Sequence, residues 1–323
     1  MTVSSWKPDR PSSKGAQMYH SAVITTTWYE NNLKPLIGII KTKLNNHDDI
    51  VVDFGAGTGV SALFMLKNIN SKLKLLLVDN SPAWLAKAYE ELRKYSKVQF
   101  YILAKKENKY STLEKTIGNE KAHIVVSANT IHLIPDIKEV FRGIYLALKP
   151  NGHIVLQSGN IKRQGRLKGI LMIDDTVNKV HEEAIRIIKK DDYFLKYRKG
   201  LNQRLKSEFG QRKFIFPDPR PLMFYIAALK KVGFTKINAK YKRVKVKYSD
   251  WMRFLRIRRI QAGILPEIGS RSPTLEEEND RDLAITFAIK KVFKDLKRSN
   301  PTSTSRSFTA EWVYIIGKKP AKT

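Results

Sequence analysis

The chain has no cysteine among its 323 residues. That absence removes disulfides, thiolate metal sites and a cysteine nucleophile, and it fits a reducing, cytoplasmic setting. No apolar run reaches the roughly 18 residues that a membrane-spanning helix needs, so no membrane span is expected. The polar, proline-broken opening Met1–Arg10 lacks the apolar stretch of a secretory signal. Histidines number six, and no His/Asp/Glu grouping has metal-ligand spacing, so no metal site is expected. Acidic residues are few beside basic ones, 30 against 60. The resulting net charge of +30 is uneven, with +8 in residues 1–160, +22 in 161–323 and +16 within 161–247 alone. The second half should attract anions, whether a carboxylate or phosphate substrate, an acidic lipid surface or nucleic acid.

With 42% hydrophobic residues the chain can bury a sizeable core. Residues 1–18 read as a flexible lead-in and 20–45 as helical, followed by a turn cluster at 45–49. Short β-branched runs at 50–54, 74–79, 98–103, 123–127 and 153–157 then alternate with helical patterns at 60–69, 82–95 and 137–148. This alternation predicts a doubly wound, mostly parallel α/β sheet. It breaks after residue 160. Residues 161–216 read as basic helices, 222–232 as a helix stopped by Gly233, 235–247 as a long strand, 249–295 as helix and 311–317 as a last strand. The predicted organisation is a core at 1–160, a basic helical insertion at 161–216, a core helix and strand at 217–248, a second helical insertion at 249–307, and a final strand and tail at 308–323. Trp251 and Trp312 read as core residues.

The sharpest local pattern is the strand Ile50–Phe54, then Gly55-Ala56-Gly57-Thr58-Gly59, then a helix. Glycines permit positive φ and close approach of a ligand to the backbone, and the following helix is expected to point free N–H groups at the site. The spacing is not the dinucleotide fingerprint, because Val60 stands where the third glycine belongs. Asp53, before the glycines, would repel a pyrophosphate but suits an ammonium group. Asp79 ends the next strand and can accept hydrogen bonds from both hydroxyls of a ribose. Together the two acids describe a nucleoside carrying a cationic amino acid.

Val52–Gly59 resembles the first motif of class I S-adenosylmethionine (SAM)-dependent methyltransferases. Leu77-Val78-Asp79-Asn80-Ser81 resembles their ribose-binding motif, and Leu148–Leu156 the turn into their fifth strand. Ser127–Asp136 resembles the fourth-strand motif of the small-molecule branch. The match spans roughly residues 50–160, with weaker support at 222–247 and 308–318. The resemblance implies a Rossmann-like doubly wound sheet of seven strands, the last antiparallel and inserted between the fifth and sixth, with helical cap insertions. It implies SAM as cofactor, with Asp53, Gly55, Ala56, Gly57, Asp79, Asn80 and Asn129 at its site and Tyr19 reaching it from the N-terminal helix. His20 could reach it too, though ordinary helix packing accounts for both residues. The acid that the family often places after the third strand is missing from Leu103-Ala104-Lys105-Lys106-Glu107. Adenine contacts then fall to the backbone of Ala104 and Lys105, or to Glu107.

Ser127-Ala128-Asn129-Thr130 lacks the Pro-Pro of base-amino methylating enzymes, which weakens base N-methylation and leaves ribose or base-carbon targets open. The resemblance at 127–136 and the basic second half together favour a small, anionic acceptor and O- or C-methylation. Trp251–Arg256 with Ile264–Glu267 resembles the helical cap of the carboxylate-methylating branch. His132 is a candidate general base, against the plainer reading of a packed loop histidine. An RNA-binding protein or RNA methyltransferase is the alternative that the charge supports. Against it, Ile185, Ile187, Ile188 and Leu201 read as the inner face of a packed helical layer whose basic side chains merely face solvent.

Overall fold

In the computed structural model, residues 4–46, 48–70 and 72–321 are described. Met1 to Val3 of the expected lead-in and His47 of the expected turn cluster lie outside them. Seven strands form one sheet: β1 (Ile50–Phe54), β2 (Lys74–Asp79), β3 (Val98–Ile102), β4 (Ala122–Ala128), β5 (Leu148–Ser158), β6 (Thr235–Lys247) and β7 (Ser307–Lys318). Their order is β3-β2-β1-β4-β5-β7-β6. The first five pair in parallel. β7 runs antiparallel to β5, with Gln157 opposite Tyr314 and His153 opposite Lys318. The chain thus adopts the expected Rossmann-like sheet, with its last strand inserted between the fifth and sixth.

The chain divides into two compact units. The first comprises residues 1–163, 220–242 and 312–323. Its central strands are buried on both faces, as the near-continuous apolar runs Val51-Val52 and Leu75–Val78 require. Helices α1 (Lys14–Ile24), α2 (Thr27–Lys41), α3 (Val60–Asn68), α4 (Pro82–Leu92), α5 (Leu113–Ile117), α6 (Ile137–Ala147) and α10 (Leu222–Val232) accompany the sheet. On one face Phe141, Ile144, Tyr225, Leu229 and Phe234 close a core with Val125 and Leu156. Three expectations shift here. The described part of the lead-in is tied down: Trp6 N–H donates to Phe100 O at 2.7 Å, and Phe100 N–H to Ser5 Oγ at 3.0 Å, so backbone hydrogen bonds cover part of the β3 edge. The expected helix at 20–45 is two helices, broken where Thr26 adopts an extended conformation. The fifth strand begins at Leu148, before the Pro150-Asn151-Gly152 turn, and its pairing to β4 carries a register shift between Ala122 and Ile124.

The second unit comprises residues 164–219 and 243–311. Its helices are α7 (Ile173–Lys190), α8 (Leu201–Ser207), α9 (Phe209–Ile215), α11 (Tyr248–Leu255), α12 (Arg258–Ile264) and α13 (Leu275–Ser299). The two segments read as separate insertions share one core of Val177, Val180, Ile188, Trp251, Ile285 and Ile289. Ile185 and Leu201 are buried, as the packed-layer reading requires, while Lys189 and Lys190 are exposed. The Asp280 carboxylate anchors this unit, accepting from Tyr193 Oη at 2.9 Å and Tyr197 Oη at 2.7 Å and pairing with Lys196 at 2.8 Å. No described helix is long and apolar enough to cross a membrane.

Candidate cofactor and acceptor site

The site lies in the first unit, at the C-terminal edge of the parallel strands, where open α/β sheets bind ligands. Gly55, Gly57 and Gly59 all have positive φ, from 55° to 76°. Their reasons differ. A Cβ at Gly55 would stand 2.3 Å from Thr130 Cγ2, and one at Gly59 would meet Ala88 Cβ and Leu92 Cδ1 at 2.9 Å. Those two glycines let protein pack on protein. A Cβ at Gly57 would meet only the Trp84 ring, at an ordinary 3.4 Å, so there it is the positive φ rather than crowding that calls for glycine.

The loop's own amides are bonded within the fold. Gly55 and Ala56 both donate to Val78 O, at 2.8 and 3.1 Å, and Gly57 donates to Asp79 Oδ2 at 2.8 Å. These N–H groups are spent holding the loop against β2 and are not free for a ligand. Buried Ala56 serves the loop through that bond. Asp79 also accepts from Ser81 N–H, at 2.8 Å through Oδ1. Each carboxylate oxygen has a second lone pair to offer, so Asp79 can brace the loop and still receive hydroxyls. Asn80 beside it is exposed.

Asp53 is fully buried. Ser61 Oγ donates to its Oδ2 at 2.6 Å, while Oδ1 is buried with no hydrogen-bond partner. Burial, offset by the Ser61 bond and reinforced by the Asp79 charge, pushes its pKa up to about 7. A buried carboxylate oxygen with no donor is costly unless a cation or donor arrives. The amino-acid ammonium of SAM is such a group.

Around these acids stands a polar wall. Asn129, at φ 54°, receives Trp312 Nε1–H on its side-chain oxygen at 3.1 Å and donates its N–H to Gln157 O at 2.7 Å. Gln157 Nε2 donates to Asn32 Oδ1 at 2.8 Å. The Tyr29 hydroxyl lies within reach of Tyr19, Asn129 and the Asp53 charge; burial first, then Tyr19 and the Asp53 charge, raise its pKa, while the Asn129 bond lowers it. Tyr19 packs against Trp84 with ring centroids 4.6 Å apart. His20 Nδ1 lies 3.1 Å from Thr58 O, so α1 clamps the glycine loop rather than merely packing nearby. Tyr29, Trp84 and Gln157 were not legible as site residues, because they read as ordinary helix and strand positions and only the fold brings them to Asp53 and Asn129.

After β3 the chain makes a hairpin, Lys105–Lys106 against Lys109–Tyr110, turned by Glu107 and Asn108 at φ 49° and 63°. Ser111 N–H donates to Ala104 O at 2.7 Å, which leaves that carbonyl its second lone pair. Because antiparallel bonds alternate, Lys105 falls in a pair whose N–H and C=O point away from the partner strand.

His132 sits on the 3-10 turn Ile131–Leu133 after β4. Its Nδ1 lies 2.9 Å from Ser158 Oγ, and burial and then the Arg220 charge lower its pKa to about 4. Arg220 fixes this turn, donating to the carbonyls of Ile131, His132, Ile134 and Pro135 at 2.6–3.4 Å. Thr130 Oγ1 donates to Gly55 O at 3.0 Å, joining the turn to the glycine loop.

Residues 45–211 match the model of a methyltransferase domain. A 122-residue stretch, 32% of the chain, is 29% identical to Probable polyketide synthase 41 of Dictyostelium discoideum, and spans only 5% of that protein. Among solved structures, phosphoethanolamine N-methyltransferase 2 of Haemonchus contortus matches with a TM-score of 0.51 at 18% identity, over 97% of this chain and 59% of that one. The YcgJ protein of Bacillus subtilis matches at 0.50 and 14% identity, over 91% and 100%. At such identities these structures speak for the fold, and the family match covers the strands and loops that build the site. The chain belongs to the class I SAM-dependent methyltransferase family.

Proposed function

We propose that this protein transfers a methyl group from SAM to a small, anionic acceptor by O- or C-methylation. The observation that carries the cofactor assignment is the buried, partnerless Oδ1 of Asp53 beside a glycine loop that Asp79 braces. Asp53 holds the amino-acid ammonium. Asp79 and Asn80 take the ribose hydroxyls. The backbone at Ala104 and Lys105 borders the adenine. Gly57 and Trp84 border the nucleoside, and Tyr19, Tyr29 and Asn129 complete the polar wall. Bound SAM supplies a methyl already activated on a sulfonium, so the chain's task is chiefly to hold the acceptor in line. His132, neutral at physiological pH, offers an imidazole to orient or deprotonate the acceptor.

The absence of Pro-Pro after β4 supports a small molecule over a base amino group, and the +22 charge of the second half supports an anionic one. The same charge favours RNA as a second reading. Calorimetry with SAM and its demethylated product tests the cofactor. Methyl transfer from labelled SAM into the small-metabolite fraction of an extract, compared with total RNA, tests the acceptor. Label in RNA that disappears when basic residues of 161–213 are neutralised would overturn the small-molecule assignment.

A further inference from the structure

The opposite edge of the same sheet holds a second cavity, of about 370 Å³. Its walls come from the N-terminal ends of the parallel strands and the end of antiparallel β7. Lys43 follows α2, His153 opens the regular part of β5, Lys236 and Asn238 open β6, and Lys318 ends β7, with Asn45 at the rim. No carboxylate of a described residue lines it. None of Lys43, Lys236 or Lys318 forms an ion pair with a described residue, whereas nearby Lys74 pairs with Asp48 and Lys149 reaches His123. Lys43 and Lys318 are half-buried. Lys318 stands directly across the β5–β7 ladder from His153, a separation of about 5 Å between Cβ atoms. Lys236 holds a positive φ of 48°, a conformation a non-glycine residue adopts at a cost.

Three ammonium groups lining one open cavity, with no counter-charge in its described lining, make a site that favours an anion. The cavity falls in the size range of small-molecule sites. Three ammonium groups, which act as point charges rather than flat forks, suit the distributed charge of phosphates. We propose that this cavity binds a small phosphate-rich anion of di- or triphosphate size, at a site separate from the glycine loop. The state of His153 agrees: burial, then Lys43 and Lys318, hold its pKa down at about 4. A bound polyanion supplies the opposite charge and raises it.

Inorganic tripolyphosphate is the probe of choice, because it has no adenosine to compete for the glycine loop. Calorimetry on the full chain is expected to show saturable binding, weakened at least tenfold in the Lys43→Gln/Lys318→Gln variant. That variant is expected to keep the wild-type circular dichroism spectrum and unchanged affinity for the demethylated cofactor. In wild type, the His153 imidazole signals are expected to titrate at least one pH unit higher with tripolyphosphate present. Absence of saturable binding, equal binding by the double variant, or an unmoved His153 would overturn the proposal. So would binding of a single-stranded RNA oligonucleotide through these lysines that tripolyphosphate does not displace, which would make the cavity part of a nucleic-acid track.

Discussion

A buried carboxylate costs a fold several kcal/mol when ionised unless a cation joins it. Asp53 is in that position, with a pKa near 7 against 3.8 for the free side chain. Because the folded value is the higher one, its protonated form favours the fold. That contribution is full below about pH 4 and is lost as pH rises towards 7. Asp53→Asn keeps the size and removes the penalty. Its stability relative to wild type is expected to be level near pH 4 and higher at pH 8, by an amount on the order of 4 kcal/mol at most. The same variant is expected to lose SAM binding, and wild-type affinity is expected to rise with pH through 7 as the carboxylate ionises. Melting curves and calorimetry at the two pH values check both, and a variant destabilised at pH 8 would contradict the assignment. His132 calls for a different expectation. With a pKa near 4 it is a weak base at pH 7. His132→Gln is expected to lower kcat about tenfold through lost orientation, short of the roughly 10²–10⁴ expected of a committed general base, with affinity for the cofactor unchanged.

Three glycines that look equivalent in sequence separate at the level of the element. Gly55→Ala and Gly59→Ala force a Cβ into Thr130 and into α4, so each is expected to lower the thermal midpoint. Gly57→Ala meets Trp84 at ordinary contact distance and pays only the left-handed backbone cost, roughly 1–2 kcal/mol. It is expected to fold and yet bind SAM at least tenfold more weakly, since backbone strain at this position disturbs the Gly57 N–H bond to the Asp79 carboxylate. Melting curves set beside calorimetry separate the three, and a Gly57→Ala protein with wild-type affinity would remove Gly57 from the cofactor site.

The strand–glycine–helix pattern and the acids at 53 and 79 were legible because each lies within one βα unit, where period and turn chemistry are local. The sheet order followed from resemblance to the family, not from strand spacing. What stayed hidden was of another kind. Gln157 joins Asn32 across 125 residues, and Trp312 reaches Asn129 across 183. Nothing near those residues marks them. The bonds that fix the glycine loop stayed hidden for a related reason: the acceptor of Gly55 and Ala56, Val78 O, belongs to another strand.

At the scale of the whole molecule, the chain order and the compact units disagree. The second unit is built from 164–219 and 243–311, so the chain leaves it and returns. Between those visits it lays down α10 and most of β6, and after the second it enters the sheet as β7 between β5 and β6. A cut near residue 161 would leave the first unit without β6 and β7, exposing the β5 edge and the apolar face that Tyr225, Leu229 and Phe234 cover. The released piece would carry two long strands with no sheet to complete. Stable domains are cut apart where few contacts cross, and this boundary crosses the centre of a β-ladder. Limited proteolysis is therefore expected to yield no stable fragment corresponding to 161–323. Nicks in the loops of the second unit are expected to leave the pieces associated on gel filtration. Recovery of a folded 161–323 fragment with native-like circular dichroism would show that the sheet tolerates the loss of its last two strands, and would break the link between this strand order and the stability of the fold.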